Sequence, residues 1–270
     1  MPDRPAAQTR SVLITGASSG LGRALAIGLA AQAHASQVPL RLWLTGRNGA
    51  RLSETAARST ELGANVATAA IEITDAAMVR NWILACDETA TLDMVIANAG
   101  RSAGTGDGPE SAAQVATLVE TNIGGTVNTV LPAAERMRSH RHGHIVIVSS
   151  LAARLPFPST PAYSATKAFV RSWGLALRPD LARNGVGLTI VSPGYIATPM
   201  TAGNHFPMPF LLTAEQAATY ILRRLDHGPA EIAFPLSAVM ALRILSLLPV
   251  GLFGRLMSRG PRKHALMTER

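Results

Sequence analysis

The feature that most restricts the fold is the turn Thr15-Gly16-Ala17-Ser18-Ser19-Gly20-Leu21-Gly22, set between an apolar run and a helix-forming one. Residues 11–15 (SVLIT) read as a short buried strand, and residues 20–35, rich in alanine and leucine, read as a helix. Gly16, Gly20 and Gly22 permit a tight turn and let the backbone approach a pyrophosphate closely, and the helix N-terminus beyond them offers free N–H groups and a positive dipole. The glycine spacing, G-x3-G-x-G, departs from the commoner G-x-G-x-x-G dinucleotide fingerprint, but its place directly after a first strand and before a helix gives it the same physical purpose.

The chain continues in the same alternation. Strands are expected at residues 41–45, 66–73, 92–97, 145–149, 186–192 and 231–234. Helices are expected at 48–62, 75–88 with Asp75 near its start, 111–139 bent around Gly124-Gly125, from Tyr163 to about 184, and 214–227 with Thr213 as N-cap. Such βαβ repetition implies a parallel, doubly wound α/β sheet of seven strands with right-handed crossovers. A length of 270 residues and a hydrophobic fraction of 47% suit one large domain with a full core. The expected division is a Rossmann-type catalytic domain over 1–234, with a substrate loop at about 195–213, and an apolar, basic helical tail over 235–270.

The chemistry is expected in the stretch Ser149 to Lys167, SSLAARLPFPSTPAYSATK. Tyr163 and Lys167 are four apart and share a helix face; Ser150 ends a buried strand thirteen residues before Tyr163. A free phenol ionises near pH ~10, and a cation one helical turn away favours the phenolate and moves that pKa toward the working range. Ser150, Tyr163, Ser164, Ala165, Thr166 and Lys167 resemble the S…YxASK signature of the short-chain dehydrogenase/reductases, with Thr166 where serine is commoner. The turn from Thr15 to Gly22 resembles that family's TGxxxGxG loop, and the likeness spans roughly the first 200 residues.

The resemblance implies an oxidoreductase that moves a hydride between a nicotinamide and a carbonyl or alcohol carbon. It makes Tyr163 the general acid/base and Ser150 the group that orients the carbonyl oxygen. Lys167 would lower the Tyr163 pKa and bind the nicotinamide ribose, and Asn122 would complete a proton relay. It assigns cofactor contacts to Gly16, Ser18, Ser19, Gly20, Leu21, Gly22, Glu72, Ile73, Asn98, Ala99, Gly100, Pro193, Gly194, Ile196 and Thr198, besides Tyr163 and Lys167. Glu72 stands where the family usually has aspartate, and Ala97 where it has an asparagine that stabilises the sheet. The second strand selects the cofactor. NAD-preferring sites carry an acid at its end, whereas this one ends Thr45-Gly46-Arg47-Asn48, and Arg47 can pair with a 2′-phosphate. NADP is therefore the expected cofactor. A nucleotide-sensing or scaffold protein of the same fold would need no phenol beside a cation.

A net charge of +8 raises the question of nucleic acid, but the basic residues are dispersed and no aromatic-interleaved stripe is present, so no nucleic-acid partner is expected. A single cysteine, Cys86, excludes an intrachain disulfide, and the first ten residues carry no apolar signal segment, so a cytoplasmic location is expected. His140, His142 and His144 (HRHGH) read as a solvated loop rather than a metal site. The loop 201–212 (TAGNHFPMPFLL) implies an apolar substrate pocket. Residues 237–248 and 250–257 are almost wholly apolar and are interrupted by Arg243 and Arg255, too short to span a bilayer. They fit packing on the domain itself, a lid over the substrate cleft, an interface in a homodimer or homotetramer, or peripheral contact with an anionic membrane.

Overall fold

The computed structural model describes residues 9–106, 108–204, 206–258 and 263. The chain begins β1 (Arg10–Thr15), α1 (Gly20–Ser36), β2 (Leu40–Gly46), α2 (Gly49–Glu61), β3 (Asn65–Ala70), α3 (Ala76–Thr89) and β4 (Met94–Ala97). It continues through α4 (Ala112–Leu118), a π-helical turn (Val119–Gly124), α5 (Gly125–His140), β5 (His144–Val148), a 3-10 turn (Leu151–Arg154), α6 (Pro161–Arg183) and β6 (Gly187–Pro193). The last part holds β7 (Ile196–Ala197), α7 (Pro199–Ala202), β8 (Leu212–Thr213), α8 (Ala214–Leu225), β9 (Glu231–Phe234), α9 (Leu236–Leu245) and α10 (Val250–Met257).

Among the described residues, one parallel sheet of seven strands runs in the order β3-β2-β1-β4-β5-β6-β9. The edge strand β3 has no fully buried residue, whereas the inner strands β1, β4, β5 and β6 are almost wholly buried because both faces are covered. Neighbouring residues of β1 show this directly. Val12 and Ile14 join the core that holds Leu25 and Leu29 of α1 and Ile221 of α8, while Leu13 joins the opposite core with Val130 of α5 and Val170 of α6. The order reverses between β1 and β4, so their carboxyl ends open a crevice of the kind where nucleotides bind in such sheets. Asn98, just past β4, ties that crevice together: its amide donates to the carbonyls of Thr15 at 3.0 Å and Gly16 at 3.2 Å. The sheet therefore keeps this link although Ala97 has no polar side chain.

Several expected elements shift. The long helix 111–139 is two helices joined by a π-helical turn that contains Asn122 and ends at Gly124. The third strand leaves the ladder at Ala70 rather than at residue 73. The loop 201–212 is flanked by a short helix and a two-residue strand pairing β8 with β7. The HRHGH stretch is solvated over His140, Arg141 and His142, but not at its end. His144 is buried in β5 and bonded to Thr189 at 2.9 Å, while His140 and His142 pair with Asp87 and Asp93. Among the described residues no group of three or more His, Cys, Asp or Glu is placed to hold a metal ion, and no helix is long and apolar enough to cross a membrane.

Candidate active site

The crevice opens into a cleft of about 540 Å³ at the carboxyl ends of β1, β2, β4, β5 and β6. Every expected site residue lines it except Gly22 and Asn122. At its floor the glycine turn closes on itself. Gly16 and Gly20 have φ of 69° and 53°, and a Cβ on Gly22 would fall 2.2 Å from the Gly16 carbonyl oxygen. Gly22 therefore shapes the turn from behind. Ser19, the N-cap of α1, makes no side-chain capping bond, so the first N–H groups of α1 face the cleft. Thr198, at the start of α7, abuts Gly20, where an added Cβ would meet the threonine at 3.1 Å.

Arg47 follows β2, and its Nε lies 3.9 Å from the Glu72 carboxylate, with both side chains about half exposed (47% each). That pair is loose and worth little in water. Glu72 and Ile73 lie just past β3, and the absence of a Cβ at Gly46 leaves room for Ser18, whose Oγ would be 3.0 Å from one. These contacts form a cradle that fits a dinucleotide: glycine backbone and helix N-terminus for phosphates, and a guanidinium beyond them.

The second cluster is built by β5 and α6. Pro161 starts α6 in its first turn, where the missing N–H costs nothing. Tyr163 and Lys167 then follow on one face. Ser150 caps the 3-10 turn by accepting from Ala152 N–H at 3.1 Å, and its hydroxyl stands near enough to the Tyr163 phenol to lower the phenol's pKa. The Lys167 ammonium donates to the Val148 carbonyl at 3.0 Å and packs beneath Gly100, where a Cβ would stand 3.3 Å from its Nζ.

The electrostatics differ from the sequence expectation. Tyr163 is held above its ordinary pKa: burial raises it most, the nearby Ser150 hydroxyl lowers it, and Tyr195 raises it further. Lys167 does not pull it down, because burial lowers the lysine itself to about 8 and its ammonium is spent on the Val148 carbonyl. Burial disfavours both charges, so the protonated phenol persists to higher pH.

Asn122 is fully buried, and its partners are not those of a direct relay. Its amide donates to the Arg101 carbonyl at 2.9 Å and the Thr166 hydroxyl at 3.0 Å, and its oxygen accepts from Arg101 N–H at 2.7 Å. Thr166 in turn donates to the Tyr163 carbonyl at 2.8 Å. Asn122 thus joins the loop after β4 to the helix of Tyr163 and Lys167, and the π-helical turn aims it there.

The other end of the cleft is apolar and was not legible residue by residue. Phe157, Met200, Phe206, Phe210, Ala241 and Leu242 line it, together with Lys263. Leu242 and Ala241 come from α9, and Phe253 of α10 packs edge-on to Phe157 with ring centres 6.2 Å apart. The tail is thus one wall of the cleft. The proline-rich apolar loop and the apolar tail, for which a lid over the cleft was one of the expected placements, were the sequence signals for this region.

Comparison with known proteins agrees with this geometry. Residues 10–206 match the family model described as short chain dehydrogenase. An uncharacterised oxidoreductase of Myxococcus xanthus is 35% identical over 245 residues, covering 90% of this chain and 94% of its own. The structure of a short-chain dehydrogenase from Sphingobium yanoikuyae in complex with NADPH is 26% identical, covers 97% of this chain and 99% of its own, and superposes with a TM-score of 0.76. A short chain dehydrogenase from Mycobacterium paratuberculosis bound to NAD, 22% identical, covers 84% of this chain and 97% of its own with a TM-score of 0.74, a likeness of fold. The turn at Gly16–Gly22, the Ser150–Tyr163–Lys167 cluster and these matches place the chain in the short-chain dehydrogenase family of oxidoreductases, which act on CH–OH and C=O groups.

Proposed function

We propose that the protein is an NADP(H)-dependent oxidoreductase that interconverts a carbonyl and an alcohol on an apolar substrate. The observation that carries this reading is the meeting of Ser150, Tyr163 and Lys167 in the same cleft as the glycine turn and Arg47. When bound, the cofactor supplies or accepts the hydride at its nicotinamide ring. The chain's own residues do the rest. In reduction the Tyr163 hydroxyl gives its proton to the carbonyl oxygen, and in oxidation the phenolate takes the alcohol proton back. The Ser150 hydroxyl, beside the Tyr163 phenol in the cleft, holds the same oxygen. Lys167 holds the ribose beside Gly100, and Asn122 positions its helix. Gly16, Ser18, Ser19, Gly20, Leu21 and Thr198 hold the phosphates, while Asn98, Ala99, Gly100, Pro193, Gly194 and Ile196 face the nucleoside and nicotinamide.

NADP over NAD rests on Arg47 at the end of β2 in place of an acid. Glu72 shares that guanidinium at 3.9 Å, and a 2′-phosphate, carrying more charge and more acceptors, competes for it. The aromatic and proline walls keep water from the reacting carbon.

The division that follows is a catalytic domain over 1–234 and a tail over 235–270 that serves as a lid. On its outer side the tail exposes Leu236, Met240, Ile244, Leu247, Val250, Leu252 and Leu256. That row suits a subunit contact in a homodimer or homotetramer, with an anionic membrane as the competing occupant.

The test is steady-state oxidation of NADPH by the full-length protein with ketones of rising chain length. Turnover that improves with chain length supports the reading. No ketone-dependent oxidation of NADPH or NADH across the series leaves a nucleotide-binding protein without turnover.

A further inference from the structure

The chain contains two lysines, and both reach the cleft. Lys167 is explained by the helix that carries it. Lys263 comes from the tail, beyond α10, and lies against the loop that follows β4. Gly106 N–H donates to the Lys263 carbonyl at 2.8 Å, and a Cβ on Gly104 would collide with the Lys263 backbone. This close approach fixes where the side chain points. The ammonium donates to the Ser102 hydroxyl and stands 5.6 Å from the centre of the Tyr163 ring.

Among the described residues no carboxylate pairs with this ammonium. Burial alone acts on it, lowering its pKa to about 8. Taking a cation out of water without a counter-charge costs free energy, and a binding cleft is where a ligand repays that cost by bringing the anion. Position decides which anion. Arg47 and the glycine turn lie past β2 and β1, whereas Lys263 stands over the β4 loop and α6, on the other side of the point where the strand order reverses. It is therefore beside the proton donor and not beside the phosphate cradle. The cleft it enters is lined by Phe157, Phe206 and Leu242 among other apolar side chains.

We propose that Lys263 is a specificity-determining residue that pairs with a carboxylate on the substrate, making the preferred substrate an oxo acid or hydroxy acid with an apolar body. This rests on the reaction proposed above and names its substrate class. The tail then selects as well as covers, since it supplies the charge at the substrate end of the cleft.

The test is calorimetric titration of octanoate and 1-octanol into the full-length protein saturated with NADP. Both probes offer the same chain length, and only one carries a carboxylate. Lys263→Met keeps the aliphatic stem and removes the charge, and NADPH affinity measured in parallel reports whether the variant is folded. Lys263→Gln provides the same comparison if the methionine variant does not fold. The expected result is that octanoate binds the unaltered protein more tightly than octanol. The neutral variants should weaken octanoate about tenfold to a hundredfold, the range for one charge-assisted contact, and octanol by less than about twofold. Equal weakening of the two probes, no weakening, or no preference for octanoate in the unaltered protein overturns the proposal. Because the readout is binding, it separates from the reaction: a protein that discriminates octanoate through Lys263 but reduces no ketone would fail the proposed function alone.

Discussion

Tyr163 and Lys167 share a helix face in a site where burial pushes both toward neutrality, the phenol upward and the ammonium down to about 8. A raised phenol pKa keeps the proton on Tyr163 at neutral pH, which suits carbonyl reduction. Oxidation needs the phenolate, whose population grows with pH. Alcohol oxidation should therefore rise steadily from pH 7 to 10 while reduction stays level or falls, as pH–rate profiles in both directions would show. At the far end of the cleft, Arg47→Ala should weaken NADPH by about tenfold to a hundredfold and NADH far less, because only the 2′-phosphate loses a charge-assisted partner. Titrating both cofactors into both proteins checks it, and equal losses would make Arg47 structural. These residues were legible in the sequence because their spacing is local: four along a helix, or one turn after a strand. The direction of the Tyr163 shift was not, because burial depends on walls contributed by distant segments.

At the scale of elements, the helix that carries Tyr163 and Lys167 is held by a charge cluster that no local pattern announced. Glu231 of β9 accepts from Arg171 of α6 at 2.7 and 2.9 Å and from Ser192 of β6 at 2.7 Å, and pairs with Arg154 of the 3-10 turn at 2.8 Å. Arg171 lies one turn beyond Lys167, and Arg154 lies on the turn that Ser150 caps, so one carboxylate links the two elements that carry Lys167 and Ser150. Burial opposes ionisation of Glu231, but the bonds from Arg171 and Ser192 and the two guanidinium charges prevail and hold its pKa at about 2, below the ordinary 4.5. A carboxylate depressed on folding stabilises above its unfolded pKa, and that stability is lost as pH falls from about 4.5 toward 2. The shift corresponds to about 3 kcal/mol. Glu231→Gln should lower stability by that order in denaturant unfolding at pH 7 and flatten the loss between pH 4.5 and 3; an unchanged midpoint would show the cluster to be idle. The strands and most helices were legible because apolar runs and Ala/Leu-rich segments alternate cleanly. The π-helical turn was not, since the glycine pair signals a bend without revealing the extra residue that turns Asn122 inward. His144 was misread because its burial is set by β6 and Thr189 rather than by its histidine neighbours.

For the whole molecule, the cleft is completed by contacts that cross most of the chain: Lys263 and Ser102 are 161 residues apart. Nothing in the spacing of either residue announces the other, which is why the sequence left a lid over the cleft as one of several placements of the tail. Its outer row of apolar side chains gives a prediction at this scale. If the row is a subunit contact, the full-length protein should form a dimer or tetramer in sedimentation and stay in solution with anionic vesicles. Pelleting with the vesicles would assign it to a membrane surface instead. The account as a whole stands on Tyr163 as proton donor within a nucleotide-binding cleft, and the most direct measurement is turnover and NADPH affinity of Tyr163→Phe in the full-length protein. The phenyl ring keeps the packing and removes the transferable proton. NADPH should bind within about twofold of the unaltered protein while kcat falls by about a hundredfold to ten-thousandfold, the range for a general acid. A kcat near that of the unaltered protein would contradict the account.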